Sequence, residues 1–153
     1  MREFYIGIDP GKKGFACISG PDGLRHIPLA DEDTFLAALW DLRDEDVLAV
    51  IENVHSMPHQ GVASTFAFGQ GFGTILGMLK ALGIPFSTVP PQRWQRAIWQ
   101  PVDRAATTKQ QSFNAARRLH PNTDFRRSAR ATTYDDNKVD ATLISDYARL
   151  KQL

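Results

Sequence analysis

Two short runs constrain this chain most: FYIGID over Phe4–Asp9 and VLAVIEN over residues 47–53. Each is apolar almost throughout and too short for a typical helix, the pattern of a strand buried within a sheet. Each also ends in a single carboxylate, Asp9 in the first and Glu52 in the second. Asp9 runs directly into Pro10-Gly11. Asp before Pro-Gly is ordinary turn chemistry, since Pro presets φ and Gly accepts positive φ. On that stretch alone Asp9 is as readily a turn residue as a functional acid, and the rest of the chain must separate the two.

With 153 residues and 42% hydrophobic content, the length suits one domain spanning residues 1–153 with a single core. The lone cysteine, Cys17, cannot form an internal disulfide and has no Cys or His at zinc spacing, so an intracellular, reducing setting is expected. No run is read as apolar and long enough to span a membrane, and the N-terminus lacks a basic-then-apolar leader pattern. A cytoplasmic location with no membrane partner is the expectation. The net charge of +1 conceals a strong polarity. Residues 1–60 carry five Lys and Arg against eleven Asp and Glu, whereas residues 61–153 carry thirteen against six. Between Arg93 and Arg130, nine basic residues face only Asp103 and Asp124, with Trp94, Trp99, Phe113 and Phe125 interleaved. Such a segment suits a phosphate-rich partner, although charge runs also serve simply as solvated surface.

The chain opens with three β-type segments, Phe4–Asp9, 14–19 and 24–29, separated by Pro10-Gly11 and by GPDG. These predict an antiparallel meander. Phe35, Leu36, Leu39 and Leu42 then recur at helical spacing, and the strand at 47–53 follows. A Pro/Gly/His-containing loop over 53–61 leads to a long helix predicted for 64–82. That helix carries Gly69, Gly73 and Gly77 in one stripe, which is costly unless something approaches closely there. A strand over 86–89, a short helix around 94–98, a helix capped by Thr107 or Thr108 and running to Leu119, a basic mobile loop over 120–133 and a last helix from Asp135 or Asp136 to Leu150 complete the pass. Strands followed by alternating helices and strands predict an α/β domain with a mixed sheet.

The last helix, YDDNKVDATLISDYARL, places Asp136 and Asp140 four residues apart on one face, in line with Leu143, Ile144 and Tyr147. Asp146 lies off that stripe and is expected to be solvated. Asp135 and Asp136 are natural N-terminal caps, but Asp140 in the second turn of an apolar stripe needs a partner or a metal. If Asp9 and Glu52 end neighbouring strands and this helix crosses that edge, four carboxylates converge. Like charges so placed raise one another's pKa unless a cation intervenes. Mg²⁺ suits an all-oxygen site that leaves room for water and phosphate, and two such ions serve phosphodiester hydrolysis.

These pieces together resemble the RuvC-type Holliday-junction resolvases of the ribonuclease H-like superfamily. The resemblance is carried by IGIDPG, AVIENVHSMP, ALGIP before VPPQRWQRAI, TKQQSFNAARRL and DDNKVDATLISDYAR, in that order over most of the chain. It implies a ribonuclease H-like fold, with a mixed five-stranded sheet and helices on both faces. It implies a two-ion Mg²⁺ site, for which Mn²⁺ can substitute, held by Asp9, Glu52 and Asp140 with a fourth ligand upstream. The bacterial pattern puts that ligand three residues before the last acid, which is Asn137 here. Asp136, four residues before, is closer to the spacing of phage-like and organellar relatives, and PQRW points the same way.

Lys109 matches a basic residue near the scissile phosphate in the family, the alternative being an ordinary surface lysine in a helix's first turn. Lys12, Lys13, Arg93, Arg96, Arg117, Arg126, Arg127 and Arg130 complete the expected DNA-binding set. Phe66 and Phe68 lie where relatives carry an aromatic that stacks in the junction, with core or dimer packing as the plainer role. The implied function is a structure-selective endonuclease on branched DNA, acting as a homodimer whose two sites cut symmetry-related strands. Two other classes remain open on sequence: a non-catalytic branched-nucleic-acid-binding protein of the same fold, and a phosphate-binding ATPase of the actin-like superfamily, which shares the GID-turn signature but generally needs two lobes.

Overall fold

A computed structural model describes residues 1–53 and 59–152. The chain forms β1 (Phe4–Asp9), β2 (Phe15–Gly20), β3 (Gly23–Pro28), α1 (Glu32–Leu42), β4 (Val47–Glu52), α2 (Val62–Ala81), β5 (Phe86–Val89), α3 (Pro91–Ile98), α4 (Thr108–Leu119) and α5 (Asp136–Lys151). Most of the loop expected over 53–61, including part of the AVIENVHSMP motif, lies outside the described residues. The five strands make one sheet in the order β3-β2-β1-β4-β5. The meander β1-β2-β3 is antiparallel, and β4 and β5 add in parallel beside β1.

β1 and β4 are buried on both faces, as their unbroken apolar runs require. Ile6 and Ile8 of β1 and Val47, Ala49 and Ile51 of β4 face a core closed by α1 and α2. Tyr5, Leu48 and Val50 face the opposite core, closed by α3, α4 and α5. Strand alternation decides the rest: Asp9 and Glu52 share parity with Tyr5, Leu48 and Val50, so both point toward the α5 side.

α5 lies directly on β1 because β1 has no side chain at Gly7. A Cβ there would meet the Ala141 carbonyl oxygen at 2.1 Å and the Ser145 amide nitrogen at 2.2 Å, so the close helix-to-sheet approach occurs at this glycine. The stripe of Gly69, Gly73 and Gly77 meets nothing within 4 Å. On α2 only Ile75 and Leu79 are buried, and Val62 and Phe66 are largely exposed.

Several expectations need correction. α2 is, by length and composition, long and apolar enough to cross a membrane; its glycines and its Ser, Thr and Gln residues break up the apolar run seen by eye. Leu36 is substantially exposed on α1 although it follows the helical period. Asp146 is not simply solvated: its Oδ2 lies 2.7 Å from His120 Nε2, with side chains only 12% and 16% exposed. α5 packs α4 as well as the sheet, so a position off the main stripe still faces protein.

The segment 120–133 is pinned rather than loose. Phe125 is in the core, and its carbonyl accepts from the Asp135 amide at 2.8 Å. Arg126 and Tyr134 form a β-bridge, and Tyr134 stacks on Phe113 with ring centroids 3.7 Å apart.

Candidate active site

The parallel register pairs Ile8 with Ile51, so the next residues of the two strands, Asp9 and Glu52, emerge side by side at one sheet edge. The chain turns sharply after Asp9, and the Gly14 amide returns to the Gly11 carbonyl at 3.1 Å. Gly11 takes φ +137°, a conformation that L side chains rarely adopt. Gly14 is equally constrained, because a Cβ there would meet the Asp9 carbonyl oxygen at 2.1 Å. Asp9 is thus the end of a rigid strand, and the turn that follows it does not use its carboxylate as a cap.

α5 brings the other acids. Its N-cap is Asp135, whose Oδ1 accepts from the amides of Asn137 and Lys138 at 2.9 and 3.1 Å. The capping role therefore falls on Asp135, and Asp136 becomes the first helical residue, free to point elsewhere. Asp136 Oδ2 meets Lys109 Nζ from the first turn of α4 at 2.7 Å. One turn further along is Asp140, whose ionised form the Ser112 hydroxyl of α4 favours.

Asp9 and Glu52 are 7% and 8% exposed, and the electrostatics show that these acids share one space. Burial raises the pKa of Asp9 well above the usual range, and the charges of Glu52, Asp140 and Asp135 raise it further. Burial raises that of Glu52 as well, opposed by a hydrogen bond from Trp94. Asp140 is pushed up to about 7, by burial first and then by the charges of Glu52 and Asp136, opposed by the Ser112 hydroxyl and the charge of Lys109. Among the described residues, no basic side chain is among the charges acting on Asp9 or Glu52.

Buried carboxylates that raise one another's pKa are stabilised in their ionised form by a nearby cation. The donors are all oxygen, with no thiolate or imidazole among the four acids, which suits Mg²⁺ or Mn²⁺ over zinc or copper. Among the described residues no three acidic, His or Cys side chains close into a preformed cage for one ion.

The structure separates the expected basic residues into groups. Lys12 and Lys13 are exposed in the turn directly after Asp9, and Lys109 is 73% exposed beside Asp136. Arg93 and Arg96 are exposed on α3, the helix whose Trp94 reaches Glu52. Arg127 has a structural role, since Nε bonds Asp135 at 2.6 Å, Nη2 bonds the Lys13 carbonyl at 2.5 Å, and the guanidinium covers the Phe15 ring at 4.6 Å. It ties the 120–133 segment to both the β1-β2 turn and the cap of α5. Arg126 pairs with Asp124 at 2.8 Å. Arg117 lies over Phe113 and, with Arg126, lines a separate hollow of about 390 Å³. Arg130 is exposed. Phe66 is 72% exposed, outside the core, and Phe68 stacks on Phe72 at 6.3 Å.

Three residues at the site carried no sequence signal for it. Asp135 read as a cap, which it is, yet its charge reaches Asp9. Ser112 is an ordinary serine within a helix. Trp94 was visible within PQRW, but nothing in that motif pairs it with Glu52.

No family model and no curated protein sequence matches this chain. Solved structures do. The chain is similar to the Thermus thermophilus RuvC structure, with TM-score 0.62 and 12% identity over 97% of this chain and 96% of that one. It is similar also to T. thermophilus RuvC in complex with Holliday junction substrate, with TM-score 0.63 and 13% identity over 98% of this chain and 94% of that one. The fold is therefore the RuvC-like, ribonuclease H-like α/β fold expected from the sequence, matched along nearly the whole length.

Proposed function

We propose that this protein is a Mg²⁺-dependent endonuclease that hydrolyses phosphodiesters in four-way or other branched DNA by paired symmetric nicks. The observation that carries this reading is the convergence of Asp9, Glu52 and Asp140 in one largely buried space where their charges oppose one another. The fold likeness extends to a RuvC that was solved with a Holliday junction, which supports branched DNA as the substrate class.

In this reading Asp9, Glu52, Asp140 and Asp136 hold two divalent cations, Mg²⁺ or in its place Mn²⁺. Bound there, the cations supply an activated water and stabilise charge on the departing 3′ oxygen. Asp9 and Glu52 bring the rigidity of adjacent central strands, so their separation is set by the ladder between β1 and β4. Asp136 keeps Lys109 close to the acids, where its ammonium stabilises negative charge developing at the phosphate. Lys12 and Lys13 meet the DNA backbone next to Asp9, and Arg93, Arg96, Arg117, Arg126, Arg127 and Arg130 extend the basic surface.

Branched substrates with two-fold pseudo-symmetry call for two sites. The open stripe of Gly69, Gly73 and Gly77, with the exposed apolar residues of α2, provides a face on which a second copy of the chain can pack.

A denaturing-gel assay on an end-labelled synthetic four-way junction beside a linear duplex tests the proposal. Paired nicks near the branch point that need Mg²⁺ and vanish in Asp9→Asn are expected. Equal cleavage by Asp9→Asn, or none by the wild type despite tight junction binding, rules out the nuclease reading; the second result favours a binding protein of the same fold.

A further inference from the structure

α4 carries Lys109, Phe113 and Arg117 at intervals of four, so the three share one side of the helix. Lys109 begins that stripe at the acids, where it pairs with Asp136. One turn on, Phe113 stacks on Tyr134, with ring centroids 3.7 Å apart and planes at 7°. A further turn on, the Arg117 guanidinium lies over Phe113 at 5.8 Å. Tyr134 stands two residues before Asp136, so the ring pair adjoins the acids through both α4 and the start of α5. Phe113, Tyr134 and Arg117 line the hollow of about 390 Å³ that the acidic site leaves unused. Its size is at the small end for ligand sites, which run from about 300 to 1,000 Å³.

The hollow has the chemistry of a nucleotide site. Its aromatic pair is half-buried against the core, and Tyr134 is held in place by its β-bridge to Arg126 and by the bond from the Asp135 amide to the Phe125 carbonyl. A base stacking there meets a platform that needs no ordering. Asp124, the acid in the wall, is bonded by Arg126 through Nε and Nη2 at 2.8 to 3.2 Å, which offsets a charge that would repel phosphate. Arg117 has no acidic partner among the described residues, so its charge is open to an anion. A nucleotide divides in the same way, with an apolar ring face beside an anionic phosphate.

We infer that this hollow is a subsite for one unpaired nucleotide of the branched substrate, its base stacked on the Phe113–Tyr134 pair and its phosphate on Arg117, on the strand that passes the acids. The inference rests on the branched-DNA reading above and adds to it a place where a base leaves the helical stack. At a branch point a base has already lost its neighbours in part, so extruding it costs less there than in a linear duplex.

The test measures binding of the full chain, with chelator so that no strand is cut, to four-way junctions carrying a single abasic site at each nucleotide flanking the branch point in turn. At one such position the loss of the base should weaken wild-type binding about 10-fold. Phe113→Leu, which keeps an apolar side chain but no ring face, should bind the intact junction and that abasic junction alike, because the lost base and the lost ring are one interaction. Arg117→Ala should weaken binding to both and reduce the slope of log affinity against log salt by about 1. Thermal melts establish that the variants fold. A measurement on wild type alone stands beside them: 5-iodouracil at that position should photocrosslink to Phe113 or Tyr134, as mapped by mass spectrometry.

No abasic position that costs affinity, a penalty that persists in Phe113→Leu, an unchanged salt slope in Arg117→Ala, or crosslinks only outside the hollow would each overturn the inference, and junction cleavage alongside any of these leaves the nuclease reading intact. The expected pattern without cleavage in Mg²⁺ supports the subsite and overturns only the nuclease reading. Wild type that binds no junction overturns both.

Discussion

Asp140→Asn should make the metal-free protein more stable at neutral and alkaline pH. Asp140 ionises at about 7 in the folded chain against an ordinary 3.8, so the fold retains a proton that the unfolded chain has already released. A carboxyl whose folded pKa is raised destabilises the fold as pH climbs from the unfolded value to the folded one. Between about pH 4 and 7 stability should therefore fall, reaching a loss of about 4 kcal/mol from this one group once it is fully ionised. Asp9 and Glu52 are displaced in the same direction and steepen the decline.

Asparagine removes the charge and keeps the shape. With chelator at pH 8 the variant should gain about 4 kcal/mol, which for a chain of this size raises the melting temperature by about 8 to 16 °C. At pH 4.5 the difference should shrink to about 1 kcal/mol, or about 2 to 4 °C. Millimolar Mg²⁺ at pH 8 should stabilise the wild type and do much less for the variant, since only a ligand that binds the native state shifts unfolding. The assay is thermal unfolding followed by circular dichroism across pH, with and without Mg²⁺. A wild type whose chelated stability is flat from pH 5 to 8, or an Asp140→Asn variant no more stable at pH 8, would refute the reasoning.

Gly7→Ala should destabilise by about 3 kcal/mol or more, because the new methyl meets α5 backbone at 2.1 and 2.2 Å and no side-chain rotation relieves it; chemical denaturation measures this. Lys109→Ala should leave the melting temperature unchanged, since its pair with Asp136 is exposed, yet reduce junction cleavage at least about 10-fold in single-turnover assays if the ammonium meets the scissile phosphate. Arg127→Ala should release the 120–133 segment from the Lys13 carbonyl and Asp135, and the readout is faster cleavage within that segment under limited proteolysis. Asp146→Ala should cost about 1 to 3 kcal/mol by leaving the half-enclosed His120 without its partner, measured in urea.

Local pattern made much of this protein legible. Unbroken apolar runs marked β1 and β4 as interior strands, and their terminal acids were visible as departures from that pattern. Helical spacing put Asp136 and Asp140 on one face before any fold was known. Spacing could not divide labour among neighbouring residues, however. Asp135, Asp136 and Asn137 are equivalent by propensity, and only the route of the chain into α5 makes Asp135 the cap and leaves Asp136 to Lys109. The glycine stripe of α2 pointed to a close approach on that helix, but the stripe is open and the tight approach belongs to Gly7, which looked like any glycine in a strand.

The sequence by itself determined which segments must be buried, where strands and helices alternate, and that two interior strands each end in a carboxylate, because burial and periodicity are local properties of the chain. Tertiary structure alone decided that Trp94 meets Glu52, that Trp99 meets Ser112, that Arg127 fastens a segment that reads as loose, and that Asp146 faces His120 in place of water. Each of these is a directional contact between residues distant along the chain, fixed by the angle and height at which α3, α4 and α5 settle on the sheet, and no local rule of spacing carries that information.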